Sequence, residues 1–109
     1  MKVLIVEDDL PTRKGLEESI RDLGGDPRSV GTAREAARIL NEFDPRILIV
    51  DIHLPDGDGI EILRAARESD ADRDGIVITG QGSIDNAIEA LRAGAVDYLP
   101  VQGLFRLRR

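Results

Sequence analysis

Short runs of branched apolar residues alternate along this chain with longer stretches in which apolar positions recur every three or four residues. The runs are Val3 to Val6, a weak one near Arg28 to Val30, Ile47 to Asp51, Gly75 to Thr79, and Ala95 to Leu99. Each is short and bounded by polar or turn residues, as strands are, and the stretches between them have helical period. Leu16, Ile20 and Leu23 form the apolar stripe of the first helix, and Gly24 and Gly25 follow as a stop signal. Thr32 with Glu35 makes a capping box for the second, whose apolar side is Ala36, Leu40 and Phe43 before Pro45 closes it. Ile60, Leu63 and Ala66 or Arg67 mark a third helix. Ser83 caps a fourth, which carries Ile84, Ala87, Ile88 and Leu91 and ends at Gly94. Strand and helix in strict alternation predict an α/β domain built on a parallel sheet.

The right-handed crossover rule leaves few arrangements for such strands, and the doubly wound order 2-1-3-4-5 of flavodoxin-like folds is the natural one. In that order the first helix lies on one face of the sheet and the next three on the other. A fifth helix would join the first, but Gly103 to Arg109 have room for at most about two helical turns. The final helix is therefore expected to be absent or rudimentary, with residues 101–109 an atypical tail. Strands three to five would then lack part of their cover on the helix-one face, which invites a short lid from Leu104, Phe105 and Leu107, or a homodimer.

Composition narrows the class without naming an activity. A length of 109 residues suits one domain spanning 1–109, and 41% hydrophobic with 33% charged residues is ordinary for a globular protein. No apolar stretch approaches a membrane span, and the apolar segment after Lys2 ends at Val6, too short for a signal peptide, so the expected setting is cytoplasmic with no membrane partner. Without cysteine there are no disulfides, thiolate metal sites or cysteine nucleophiles. A net charge of −6 argues against direct nucleic-acid binding through a general basic field; only the tail, with Arg106, Arg108 and Arg109, is basic.

The acids at the strand ends change the picture. Open parallel sheets bind ligands beyond the carboxyl ends of the strands where the strand order reverses, here between strands one and three. Strand one ends in Glu7-Asp8-Asp9 and strand three in Asp51. Asp9 reads as a capping or loop residue, but Glu7, Asp8 and Asp51 converge on one cleft. Two like charges about 4 Å apart repel by about 4 kcal/mol at an effective dielectric near 20, so the cluster calls for a cation. A few carboxylates and a carbonyl, with other positions left to water or phosphate, is how Mg2+ is usually held.

The segments "LIVEDD", "ILIVDIHLPDGDGIEIL", "IVITGQGS" and "AGAVDYLP" resemble, in order and spacing, those of the receiver (CheY-like) domains of bacterial two-component response regulators, over roughly residues 2 to 100. The separation of Asp51 from Thr79 is similar to that in receivers of transcription activators with AAA+ ATPase domains. The resemblance implies that Asp51 is the phosphoacceptor, with Mg2+ or Mn2+ held by Asp51, by Glu7 through water, by Asp8 directly, and by the backbone carbonyl of His53. It further implies that Thr79 is the switch hydroxyl that bonds the phosphoryl group, that Tyr98 moves with it, and that Gly80 leaves space for phosphate. The implied partners are a histidine kinase and a downstream output domain or protein, and the implied activity is signalling, not turnover of an external substrate.

Two departures qualify the resemblance. The family has a lysine and then a proline where this chain has Val101 and Gln102. Losing the lysine removes a charge-assisted contact to the phosphoryl group and leaves the metal as the main neutraliser of the acids. This favours an alternative, a pseudo-receiver that acts by association without phosphorylation. The other departure is the missing final helix. A phosphohydrolase with an aspartyl nucleophile is a third reading, disfavoured because His53 stands where such enzymes carry a second acid. "DADRDG", Asp70 to Gly75, matches the opening of a calcium loop but has Gln81 at its twelfth position, and reads as a polar turn. "DGDG", Asp56 to Gly59, reads as a turn before helix three.

Overall fold

The computed structural model describes residues 1–80, 88–90 and 92–100. Its elements are β1 (Lys2–Val6), α1 (Leu10–Asp22), β2 (Asp26–Val30), α2 (Ala33–Phe43), β3 (Ile47–Asp51), the two-residue β4 (His53–Leu54) and β5 (Gly57–Asp58), α3 (Gly59–Ser69), β6 (Asp74–Thr79) and β7 (Ala95–Pro100). Residues 88–90 and 92 are helical and belong to the fourth predicted helix, whose positions 83, 84, 87 and 91 lie outside the described residues. The long strands form one parallel sheet, β2-β1-β3-β6-β7, which is the order 2-1-3-4-5 expected of a flavodoxin-like fold. β4 and β5 add a small antiparallel ladder that the sequence did not announce.

Side chains of a strand alternate between faces, and the sheet sorts them accordingly. Leu4, Val6, Leu48, Val50 and Val77 face α2 and α3, where they meet Ala36, Leu40, Phe43, Ile60, Leu63 and Ala66, together with Ala90 and Ala93. Val3, Ile5, Ile49 and Ile78 face the other way, against Leu16 of α1. Helix one thus lies on one face and the described parts of helices two to four on the opposite one. On the α1 face Ile49 and Ile78 are buried while Ile47 and Ile76 are only partly so. Residues 101–109, on which the expectations of a rudimentary final helix and an apolar lid fall, lie outside the described residues.

Thr32 accepts a hydrogen bond from the Glu35 N–H at 3.1 Å and caps α2 as predicted, although the Glu35 carboxylate accepts from the Thr32 hydroxyl at 3.2 Å and not from its backbone N–H, so the reciprocal half of the capping box is not made. Gly24, at φ +85°, takes the left-handed conformation that stops α1. Two apolar positions differ from their helical stripes. Leu23 is 84% exposed, because α1 ends one residue earlier and the chain turns there. Ile88 is also exposed: the buried face of its helix runs through Ala90 and Ala93, and a residue two positions from Ala90 points nearly the opposite way.

At the amino ends of the strands, away from Asp51, a polar network ties the connections together. Arg46 pairs with Asp44 and Asp70, each at 2.8 Å. Buried Arg73 pairs with Asp44 at 2.8 Å and donates to the Ala66 carbonyl and the Ser69 hydroxyl, both at 3.1 Å. Asp70 also accepts the Asp72 N–H at 3.0 Å, so the first four residues of "DADRDG" make the polar turn expected, while Asp74 and Gly75 already belong to β6. Arg73→Ala is expected to lower stability by about 1–3 kcal/mol, through lost packing and hydrogen bonds to a helix end. Arg73→Met should recover part of that loss in urea denaturation.

Candidate functional site

The register of β1 and β3 sets up the acidic cluster. Val6 pairs with Val50, so the next residues, Glu7 and Asp51, leave the sheet side by side. Both continue the row that faces α1, Val3-Ile5-Glu7 on one strand and Ile47-Ile49-Asp51 on the other, and period two sends their carboxylates to the same side. Asp8 follows at the start of the β1–α1 loop. One carboxylate oxygen from each of Glu7, Asp8 and Asp51 lies within 4.8 Å of the others. The trio brought together by sequence reasoning is thus together in space, and among the described residues it is the one cluster with such spacing.

Glu7 is the unusual member. It is only 3% exposed, and its Oε2 has no hydrogen-bond partner. Burial pushes its carboxyl up to about 9, helped by a hydrogen bond that the protonated form donates to Asp51 and by repulsion from Asp51, Asp8 and Asp9. Its backbone is held firmly: the N–H donates to the Val30 carbonyl at 3.0 Å, and Arg13 donates to its carbonyl at 3.2 Å. Asp51 is buried and Asp8 exposed, so the cluster has an inner wall and an open side. Asp9 stands apart as the N-cap of α1. Its carboxylate accepts from the Thr12 hydroxyl at 2.6 Å and the Thr12 N–H at 3.1 Å, which hold its carboxyl below the usual carboxylate range.

Beyond Asp51 the chain folds back as the β4–β5 hairpin, pairing His53 with Asp58 and Leu54 with Gly57. The His53 N–H donates to Asp51 Oδ1 at 3.3 Å, while His53 itself is exposed. Asp58 then caps α3, accepting the Ile60 N–H at 2.8 Å, and Gly59 passes directly beneath the Asp51 carbonyl. "DGDG" is thus more than a turn: it contains a strand residue pair, a helix cap and a point of close approach. An aspartate directly before an apolar helical stripe was a legible capping signal. Asp56 at the hairpin tip accepts the N–H groups of Ala33 and Arg34, which lower its carboxyl below the usual range. No local pattern announces that contact, since its partners lie 23 and 22 residues away.

The other predicted positions flank the cluster. Ile78 pairs with Asp51, which puts Thr79, 1% exposed, one residue further along the neighbouring strand. Gly80 is exposed, and a Cβ there would meet nothing within 4 Å, so close packing does not demand glycine. The backbone of Tyr98 pairs with Val77 in β7, and its side chain lies outside what is described. Val101 also lies outside the described residues.

A row of carboxylates at the switch point, with a buried unpaired oxygen, is a donor set for a hard divalent cation. A sequence profile of the response regulator receiver domain matches residues 3–101. The chain is 40% identical over 99 residues to the transcriptional regulatory protein PhoP of Escherichia coli K12, a match covering 91% of this chain and 44% of that protein. It is 39% identical over 99 residues to the virulence transcriptional regulatory protein PhoP of Salmonella typhimurium 14028s, with the same coverage. The chain therefore spans less than half the length of these relatives. Among solved structures, the beryllofluoride-activated NtrC4 receiver domain dimer superposes with a TM-score of 0.85 at 33% identity, covering 91% of this chain and 82% of that one. A CheY-like receiver domain protein from Methanospirillum hungatei JF-1 gives 0.86 at 26% identity, covering 97% and 88%.

Proposed function

The chain belongs to the response regulator receiver domain family, and from that membership we propose that it accepts a phosphoryl group from a histidine kinase on Asp51 and passes a conformational change to an output domain or partner protein. The observation that carries this reading is that one carboxylate oxygen from each of Glu7, Asp8 and Asp51 lies within 4.8 Å of the others, in a cluster whose Glu7 is buried and has an unpartnered Oε2. In the transfer, an Asp51 carboxylate oxygen forms a bond to phosphorus as the bond from phosphorus to the donor's imidazole nitrogen breaks, and the imidazole departs. A bound Mg2+ or Mn2+ would neutralise charge on the transferring phosphoryl oxygens.

Glu7, Asp8, Asp51 and the His53 carbonyl are the groups that would hold that cation, and the all-oxygen donor set fits it. The His53 N–H, 3.3 Å from Asp51 Oδ1, orients the acceptor carboxylate. Thr79 donates its hydroxyl to the phosphoryl group in the phosphorylated state only, which gives β6 two arrangements to choose between. Gly80 leaves the approach unobstructed, and Tyr98 follows the movement of Thr79. The protein is a signalling module, not an enzyme that turns over an external substrate. The curated relatives carry transcriptional regulation in their names, and the NtrC4 receiver is a dimer; output to transcription and homodimerisation are the corresponding proposals for this chain. A cytoplasmic setting is likewise a proposal from the family membership alone; among the described residues no helix is long and apolar enough to cross a membrane.

Incubation with Mg2+ and a small acyl phosphate is expected to add one phosphoryl group by intact mass, and Asp51→Asn is expected to abolish the adduct. Val101 in place of the family lysine favours a second reading, a pseudo-receiver that signals by association. A folded, Mg2+-binding protein that takes up no phosphoryl group would establish that reading instead, and steady turnover of the acyl phosphate would point to a hydrolase.

A further inference from the structure

The β4–β5 hairpin is too short to hold its own shape. Each strand has two residues, and isolated ladders of this size are marginal in water. Its tip is fastened from a distance: Asp56 Oδ1 accepts the Ala33 N–H at 2.7 Å, and Oδ2 accepts the Arg34 N–H at 3.0 Å. These are the first two N–H groups of α2. The next two are satisfied locally by Thr32, whose hydroxyl accepts the Glu35 N–H and whose carbonyl accepts the Ala36 N–H, each at 3.1 Å. The Ala36 bond is the first regular bond of the helix, so of the first-turn donors before it only the Glu35 N–H is met by the ordinary cap, while the Ala33 and Arg34 N–H groups go to a carboxylate from a different loop.

The two ends of this tether belong to opposite walls of the acidic cluster. α2 begins just after β2, whose Val30 carbonyl accepts the Glu7 N–H, and a Cβ on Gly31 would lie 3.9 Å from the Asp8 Cα. The first turn of α2 therefore starts shortly after a strand end bonded to Glu7 and a glycine that passes beside Asp8. The hairpin carries the other wall, because Asp51 precedes it and accepts the His53 N–H. We propose that Asp56 is a positioning residue, whose carboxylate clamps the hairpin onto α2 and so holds Asp51 and the His53 carbonyl at the right separation from Glu7 and Asp8. The inference rests on reading that cluster as a divalent-cation site.

Magnesium chloride alone, titrated into the full chain by calorimetry and followed by the amide NMR shifts of residues 7, 8 and 51, tests it. Asp56→Ala is expected to weaken Mg2+ binding about tenfold, as loss of a group that orients metal ligands commonly does. Asp56→Asn, which keeps one acceptor oxygen, should fall between. The tether can also be broken from its other end. Ala33→Pro removes one donor at a helix position that favours proline, after a Thr32 whose φ of −137° and ψ of 157° suit the residue before proline. It should weaken Mg2+ binding in the same sense, and the double variant should bind within about twofold of the weaker single, because both act on one contact. Asp44→Asn, at the far end of the sheet, is expected to lower the melting temperature and leave the Mg2+ affinity unchanged, which separates positioning from general weakening. Unchanged affinity in Asp56→Ala, or additive losses in the double variant, would overturn the positioning role and leave the cation site standing. Unmoved amides at residues 7, 8 and 51 in the unmodified protein would overturn both.

Discussion

Alanine at position 59 is expected to destabilise the protein by more than about 3 kcal/mol, beyond the usual range for an added methyl in a packed interior. A Cβ on Gly59 would stand 1.9 Å from the carbonyl oxygen of Asp51 and 2.7 Å from its carbon. These are backbone atoms and cannot rotate out of the way. Nor can the helix simply withdraw, since the Gly59 N–H donates to the Ile52 carbonyl at 3.1 Å and Ile60 beside it is buried. Whichever side gives way, the peptide that carries Asp51 turns, so Mg2+ affinity should fall together with the urea midpoint. A Gly59→Ala protein with the unfolding midpoint of the parent would show that α3 and β3 can separate freely, contrary to this packing.

The second large effect is a pH dependence centred on Glu7. Its folded carboxyl titrates near 9, against an ordinary value of 4.5, chiefly because it is buried. In the metal-free protein the folded state therefore keeps a proton that the unfolded chain releases. A raised carboxyl contributes stability that is complete below about pH 4.5 and is lost progressively as pH rises towards 9. The slope approaches about 1.4 kcal/mol per pH unit within that window. Cation binding runs the opposite way. It requires the ionised carboxyl, so it releases a proton, and the apparent affinity should rise up to about tenfold per pH unit below pH 9. Glu7→Gln should flatten the metal-free stability profile and remove this proton release, both measurable by denaturation and by calorimetry in buffers of different ionisation enthalpy. A parent protein whose Mg2+ affinity is flat from pH 6 to pH 9 would show that Glu7 is already ionised.

Much of this site was legible before any coordinates. Four branched residues ending on Asp51, and an apolar run ending on Glu7, already imply adjacent parallel strands, and the switch-point rule brings their ends together. The caps at Asp9 and Thr32 were legible for the same reason, because each depends on a residue type within a few positions of its partner. What the sequence did not disclose depends on distance. The hairpin after Asp51 has no alternation long enough to read as strand, and the hold of Asp56 on α2 depends on how two loops meet. Leu23 misled because apolar periodicity continued one residue past the end of α1, where a capping position faces solvent whatever its side chain. The buried Arg73 was equally hidden, since its partners come from α3 and from the loop after α2.

Glu7 and Asp51 each occupy the terminal place in a row of side chains that begins near the amino end of its strand, with Val3 in β1 and Ile47 in β3. Their alignment is therefore a matter of parity. Adding or deleting one residue within β1 or β3 would carry the acid to the opposite face and an aliphatic neighbour into its place, whereas the same change in the turn at Gly24 and Gly25 would leave both rows as they are. Length can therefore vary at that turn without disturbing the acids, whereas the number of residues in β1 and β3 up to each carboxylate must be kept, a constraint independent of how well any one substitution is tolerated.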